Sequence, residues 1–248
     1  MSFPVTALLK AVLFDLGDTL IGNERPWVEI RREGLKSAYA SLRENGYDFD
    51  FGTFEAELTK RIDEAEFIRQ KQMIEIPIED IFQNTLLALG ETKASSIVPS
   101  IVERYFEPEF SAWRLYDDVS ETLAQLRTKG LELGLVSNTW SDWAVRTMLR
   151  SFGIDKWFDV TVTSAQLRIR KPRPEIFLAA LNALGARPDE ATMVGNSLGD
   201  DMEGAKRLGM RAIHVERDAV VSRDDVDPDA TVKQIRQVLP IIEEWLSS

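Results

Sequence analysis

The sequence predicts an α/β protein: a mostly parallel sheet flanked by helices, with an all-α unit inserted near the N-terminus. Two observations predict it. From Trp113 onward, short apolar segments alternate with helical stretches, and strands joined by helices call for right-handed crossovers and parallel pairing. Ahead of them, one apolar run, Lys10-Ala-Val-Leu-Phe-Asp15, is followed by an 85-residue stretch from Pro26 to Phe110 with helical periods and many charges.

The elements follow in order. Lys10–Asp15 is continuous rather than alternating, so it reads as a buried parallel strand. Pro26 suits the first turn of a helix that Asn45-Gly46 would stop. Further helices are expected at Phe54–Gln72, Glu79–Leu89 and Ala94–Phe106, with no convincing strand among them. Next come a helix at Asp118–Lys129 ended by Gly130, a strand at Leu131–Val136 and a helix at Ser141–Ser151. A strand at Phe158–Thr163, a helix at Pro174–Leu184, a strand at Ala191–Val194, a helix at Asp201–Leu208 and a strand at Arg211–Val215 complete the alternation. The acidic stretch Asp218–Asp229 reads as a surface loop. Val232, Ile235, Val238, Leu239, Ile242 and Trp245 then recur at helical spacing, predicting a helix over Val232–Leu246. The expected domains are residues 1–22 with 113–248 as a Rossmann-like α/β core, and residues 23–112 as the helical insertion.

Composition narrows the chemistry. The 248 residues include no cysteine and one histidine, which excludes thiolate catalysis, Cys-ligated metals and any multi-His site. Carboxylates remain, 41 against 30 Lys and Arg. The net charge of −11 disfavours nucleic acid and anionic membranes as partners. The early apolar run from Ala7 to Phe14 is interrupted by Lys10 and lacks a small-residue cleavage site, so no signal peptide or membrane span is expected and a cytoplasmic protein is.

Ligands of parallel α/β sheets bind at the carboxyl ends of strands. Four such places carry polar residues. Phe14-Asp-Leu-Gly-Asp-Thr-Leu20 puts a carboxylate after the first strand, and Val136-Ser-Asn-Thr139 offers a hydroxyl and loop amides. Arg170-Lys-Pro-Arg-Pro-Glu-Ile-Phe177 supplies a lysine before a helix, and Gly195-Asn-Ser-Leu-Gly-Asp-Asp201 an acidic cluster. A carboxylate nucleophile, a hydroxyl, a lysine and an acid cluster are the parts needed for phosphoryl transfer through an aspartyl-phosphate.

With these four motifs in this order, the sequence resembles the haloacid dehalogenase-like hydrolase superfamily over nearly its whole length. The helical insertion falls where that family's first type of cap domain belongs. The resemblance implies a Mg²⁺-dependent phosphatase acting on a small phosphorylated organic substrate. Asp15 would be the nucleophile, Ser137 and the Asn138 amide would hold the phosphoryl group, and Lys171 would neutralise both. Mg²⁺ would be bound by Asp15, the Gly17 carbonyl, Asn196 and Asp201.

Two departures qualify that expectation. The family's phosphatases usually carry Asp-x-Asp-Gly-Thr in the first motif, whereas this chain has Asp15-Leu-Gly17-Asp18-Thr19. Gly17 therefore stands where the general acid would be, and an acid of that kind is worth ~10²–10⁴ in rate. Asp18 either substitutes for it or only stabilises the turn. Asn196 replaces a usual metal-binding aspartate, so the metal site would be weaker; Asp200 beside Asp201 is a further candidate.

Other readings are open to the sequence. A 2-haloacid dehalogenase also lacks the second aspartate, but usually has an aromatic residue there. A catalytically weakened relative would keep the fold for binding or regulation. Gly195-Asn-Ser197-Leu-Gly199 matches a serine-hydrolase elbow, yet the single base, His214, lies inside a strand pattern. Gly199 to Lys206 lacks the Gly-Lys-Ser/Thr of a phosphate loop. Arg168, Arg170 and Arg173 around Lys171 read as solvated surface residues. Trp27, Arg31 and Arg32 could reach a substrate or serve an ordinary helix face. Trp140 and Trp143 line a pocket mouth or fill the seam between core and insertion.

Overall fold

The computed structural model describes residues 8–92, 94–217 and 226–247. Strand β1 (Ala11–Phe14) is wholly buried and delivers the chain to Asp15. A turn leads to β2 (Ile21–Asn23), and four helices follow: α1 (Trp27–Glu44), α2 (Phe51–Gln72), α3 (Ile78–Ala88) and α4 (Val98–Ala112). Asp50 caps α2, its carboxylate accepting from the Thr53 amide at 2.9 Å. Strand β3 (Trp113–Leu115) returns antiparallel to β2, pairing Ile21 with Leu115 and Asn23 with Trp113. The remainder alternates: α5 (Val119–Thr128), β4 (Glu132–Ser137), α6 (Asp142–Ser151), β5 (Val160–Thr163), α7 (Ser164–Leu167), α8 (Pro174–Leu184), β6 (Ala191–Gly195), α9 (Glu203–Arg207), β7 (Arg211–Val215), β8 (Ala230–Val232) and α10 (Val238–Ser247).

The six-stranded sheet has the order β5-β4-β1-β6-β7-β8, all parallel. Alternate residues of β1 face opposite sides. Val12 and Phe14 join the apolar cluster beneath α5, α6 and α10, whereas Ala11 and Leu13 join the one beneath α8 and α9. Each fully buried Leu or Phe side chain in these layers contributes about 1.5–3 kcal/mol. The four helices of the insertion hold a third cluster, including Leu42, Phe54, Leu58, Phe82 and Ile101.

Several boundaries differ from the sequence expectation. Strands β2 and β3 were not anticipated, because three residues are too few to show a period. Gly22, in the middle of β2, leaves room for the Tyr116 ring, whose hydroxyl oxygen lies 2.3 Å from where a Cβ would be. Helix α4 starts at Val98 rather than Ala94 and runs through Pro108 to Ala112. It continues past Phe106 because Phe106 and Phe110 both pack on Trp143. The helix expected over Val232–Leu246 is three pieces: Val232 ends β8, residues Ile235–Gln237 form a 3₁₀ turn, and α10 begins at Val238. Spacing of three suits a 3₁₀ turn as well as an α-helix, so apolar periodicity alone could not separate them. The helix expected from Asp201 begins instead as a π-helical turn, Leu198–Met202, in which the Ser197 carbonyl accepts from the amides of both Asp201 and Met202. Of the acidic stretch 218–229, residues 218–225 lie outside the described residues, as do the first seven residues. No helix among the described residues is long and apolar enough to cross a membrane.

The insertion touches the core at a second place besides β2 and β3. The Glu75 amide donates to Arg168 O at 3.2 Å, the Arg170 amide to Met73 O at 3.1 Å, and the Ile78 amide to Trp140 O at 2.8 Å. Beneath them Glu75 is fully buried. It accepts from Arg69 Nε at 2.6 Å, from the Ser164 hydroxyl at 2.8 Å and from Arg170. Arg170 is therefore no solvated surface arginine, contrary to the sequence reading: it adds a second ion pair to the buried carboxylate that Arg69 already neutralises. Arg168 pairs with Asp80 and Arg173 with Glu175 at the surface.

Candidate active site

Asp15 follows β1 directly, and its amide donates to Val194 O at 3.0 Å, anchoring the strand end to β6. Its carboxylate is held on both oxygens. Lys171 Nζ donates to Oδ1 at 2.7 Å and the Thr19 hydroxyl to Oδ2 at 3.1 Å. Lys171 is 2 % exposed, and its ammonium also donates to Val136 O at 2.8 Å and lies 2.7 Å from Asp201 Oδ1. Burial disfavours its charge, but the two carboxylates outweigh burial and raise its pKa above the ordinary lysine value. Lys171 is thus a fixed cation between two acids.

Asn138 fixes that lysine from the other side. Its Oδ1 accepts from the Lys171 amide at 2.9 Å and its Nδ2 donates to Lys171 O at 3.2 Å, so the side chain grips the lysine's backbone. Nδ2 also reaches Asp200 Oδ2 at 3.3 Å. The Ser137 side chain makes no hydrogen bond among the described residues and lines the adjoining cavity.

The loop after β6 turns Asp201 inward. Its Oδ2 accepts from the Ser197 amide at 3.0 Å, while Oδ1 is buried without an aligned hydrogen bond despite its closeness to Lys171. Gly195 makes room for this carboxylate, for a Cβ there would lie 2.3 Å from Asp201 Oδ2. Burial pushes the Asp201 carboxyl up, with Lys171 opposing. Asp200 is likewise pushed up by burial. Asn196 Oδ1 lies 3.4 Å from the Thr19 hydroxyl, which places it at the edge of the Asp15 site. Ser197 is a cap rather than a nucleophile, its hydroxyl accepting from the Asp200 amide at 3.0 Å. His214 stays in β7 with its Nε2 3.0 Å from Asn196 O.

A cavity of about 280 Å³ opens between this site and the insertion. Its core-side wall includes Gly17, Ser137 and Asn138, whose side chain is bonded to the Lys171 backbone; Asp15, Lys171 and Asp201 are not among the lining residues. The insertion contributes Trp27, Arg31 and Glu109, and Trp113 and Trp140 complete the rim. Trp27 and Arg31 therefore face the cavity, whereas Arg32 does not. The two tryptophans after Asn138 divide the roles left open by the sequence: Trp140 lines the cavity and Trp143 fills the seam. Asp18 does not enter the position beside Gly17. It is exposed, with φ 55° and its amide donating to Ile21 O at 2.7 Å, so it serves the turn, beside Arg217. Thr19 and Glu109 were not singled out from sequence. Thr19 could have been, as the last residue of the first motif; Glu109 carried no signal among 41 acids.

The oxygens facing this site suit a hard cation, and Asp201 Oδ1 is a buried acceptor short of an aligned donor. Among the described residues, however, no group of three or more His, Cys, Asp or Glu side chains converges to hold a metal ion. The available set is two carboxylates supplemented by neutral oxygens.

A family profile described as haloacid dehalogenase-like hydrolase matches residues 9–209. The glyceraldehyde 3-phosphate phosphatase of Methanopyrus kandleri is 31% identical over 241 residues, covering 96% of this chain and 98% of that protein. Among solved structures, a 2-haloacid dehalogenase from Pseudomonas syringae pv. Tomato DC3000 superposes with a TM-score of 0.70 at 23% identity, covering 96% of this chain and 100% of the other. A HAD phosphatase from Thermococcus onnurineus gives 0.63 at 26% identity, covering 94% and 98%.

Proposed function

The chain belongs to the haloacid dehalogenase-like hydrolase family, and within it we propose a Mg²⁺-dependent phosphatase acting on a small organic phosphomonoester through an aspartyl-phosphate on Asp15. One observation carries the reading: a buried lysine joined at 2.7 Å to both Asp15 and Asp201 and gripped by Asn138, which with Ser137 lines the adjoining cavity. A buried cation between two acids is costly as mere structure and useful for holding an anionic nucleophile against an anionic substrate. The likeness to named phosphatases supports the same choice. Residues 23–112 act as the cap that gives the cavity its outer wall.

Asp15 Oδ attacks phosphorus, and the bond from phosphorus to the leaving oxygen breaks. Lys171 stabilises the equatorial oxygens and the charge left on Asp15. Ser137 donates its free hydroxyl to the same oxygens with the Asn138 amide beside it, and the Asn138 side chain holds Lys171 in place. Water then attacks phosphorus, releasing phosphate and regenerating Asp15. Asp15, the Gly17 carbonyl, Asn196 and Asp201 would hold Mg²⁺, which supplies charge neutralisation between nucleophile and phosphoryl oxygens.

The test is hydrolysis of 4-nitrophenyl phosphate in Mg²⁺ and in excess chelator, run in ¹⁸O-water. Label entering phosphate alone fits attack of water on phosphorus. Full activity in chelator would remove the metal from the reading, and no phosphate release would remove the activity. Asn196→Asp is expected to lower the Mg²⁺ concentration for half-maximal activity about tenfold, because it adds a charge to the ligand set. Gly17→Asp is expected to leave turnover of 4-nitrophenyl phosphate hardly changed, because a nitrophenolate leaves without protonation. A Cβ at Gly17 has room, its nearest neighbour being Trp113 Cη2 at 3.5 Å.

A further inference from the structure

The phosphatase reading leaves one role unfilled: an alkoxide leaving group needs a proton, and Gly17 carries none. Asp18 is turned to solvent beside Arg217. Asp200 is bound to Asn138 and does not line the cavity. Among the described residues, the carboxyl group that does line it is Glu109, near the end of α4.

Trp113 connects Glu109 to the empty position. The far edge of its indole, Cη2, lies 3.5 Å from where a Cβ of residue 17 would be, and its Nε1 donates to Glu109 Oε1 at 3.2 Å. Trp27 packs edge-on against the same indole at 5.3 Å between centroids, fixing its orientation. One indole thus occupies the ground beside Gly17 and presents a carboxyl group to the same cavity. The bond uses Oε1; Oε2 has no hydrogen-bond partner among the described residues.

We propose that Glu109, delivered by the insertion, is the proton donor to the leaving oxygen in place of the side chain that Gly17 lacks. This rests on the phosphatase reading. As Asp15 Oδ bonds to phosphorus, the phosphorus–oxygen bond to the leaving group breaks, and that oxygen takes the proton from Glu109 Oε2. In the second step Glu109 carboxylate takes a proton from the water that attacks phosphorus, so the cycle restores both acids. The environment suits a donor. Burial pushes the Glu109 carboxyl up, while the Trp113 bond and Arg31 lower it; Arg31 and Tyr105 are the ionisable groups that face it.

Glu109→Gln keeps an acceptor for Trp113 and removes the acid. It is expected to lower kcat/KM for alkyl phosphates about 10²-fold and for 4-nitrophenyl phosphate less than about threefold, because a nitrophenolate leaves without protonation. Adding Gly17→Asp to Glu109→Gln is expected to restore alkyl phosphate turnover about tenfold or more, a rescue that a folding or binding defect would not give. Equal losses on both substrate types, no loss on alkyl phosphates, or no rescue by Gly17→Asp would each overturn the proposal. Wild type inert toward 4-nitrophenyl phosphate, or turnover that survives Asp15→Asn, would overturn the phosphatase reading itself, and this one with it.

Discussion

Asp15→Asn is expected to lower kcat for 4-nitrophenyl phosphate by at least about 10³-fold while the protein stays folded. The amide matches the carboxylate in size, and its oxygen can still accept from Lys171 or Thr19, the two groups that now hold Asp15. What it lacks is a nucleophilic oxygen. Removing one negative charge beside Lys171 leaves Asp201 as its counter-ion, so thermal unfolding is expected to shift by only a few degrees. Phosphate release and a melting curve on the same preparation separate the two effects. A variant keeping a tenth of the wild-type rate would show that Asp15 is not the attacking group.

Lys171→Met is expected to cost more than activity. It leaves Asp15 and Asp201 close together and buried with no cation between them, and breaking a buried pair in this way destabilises by about 3–5 kcal/mol. For a chain of this length that is a fall in Tm of roughly 6–20 °C. The dependence on pH has a definite sign. Burial already pushes the Asp201 carboxyl up, and Lys171 is what opposes it. Without the lysine, the folded state keeps a proton at pH values where the unfolded state has lost it. Stability is then greatest below the ordinary carboxylate pKa and declines as pH rises through the raised one. The variant should therefore melt at a lower temperature near about pH 8 than near about pH 5. A Tm unchanged from wild type would show that the three charges are not coupled.

The strand ends were legible because a buried strand is an apolar run that stops at the first polar residue. Asp15 after Phe14, Ser137 after Val136 and Asn196 after Gly195 all announce themselves so, and parallel pairing gathers them at one edge of the sheet. Lys171 was legible from its motif, though not its grip by Asn138, which joins residues 33 positions apart. Strands β2, β3 and β8 are too short for a period to show. The π-helical turn at Leu198–Met202 depends on one carbonyl accepting twice, which no spacing encodes. Glu75 and Glu109 were hidden for another reason: each sits in or next to a helical stretch whose charges read as solvated. Packing against distant residues, Arg170 for the one and Trp113 for the other, is what gives them a partner.

Glu75 also bears on how substrate comes and goes. A cap joined to its core only by β2 and β3 could swing as a door does on a single hinge. Here residues 73–78 are stitched to the core as well, over a buried carboxylate bonded to Arg69, Ser164 and Arg170. A door fastened on two edges is a window. Swinging residues 23–112 as one unit would have to break the bonds from Glu75 to Ser164 and Arg170 together with three backbone hydrogen bonds.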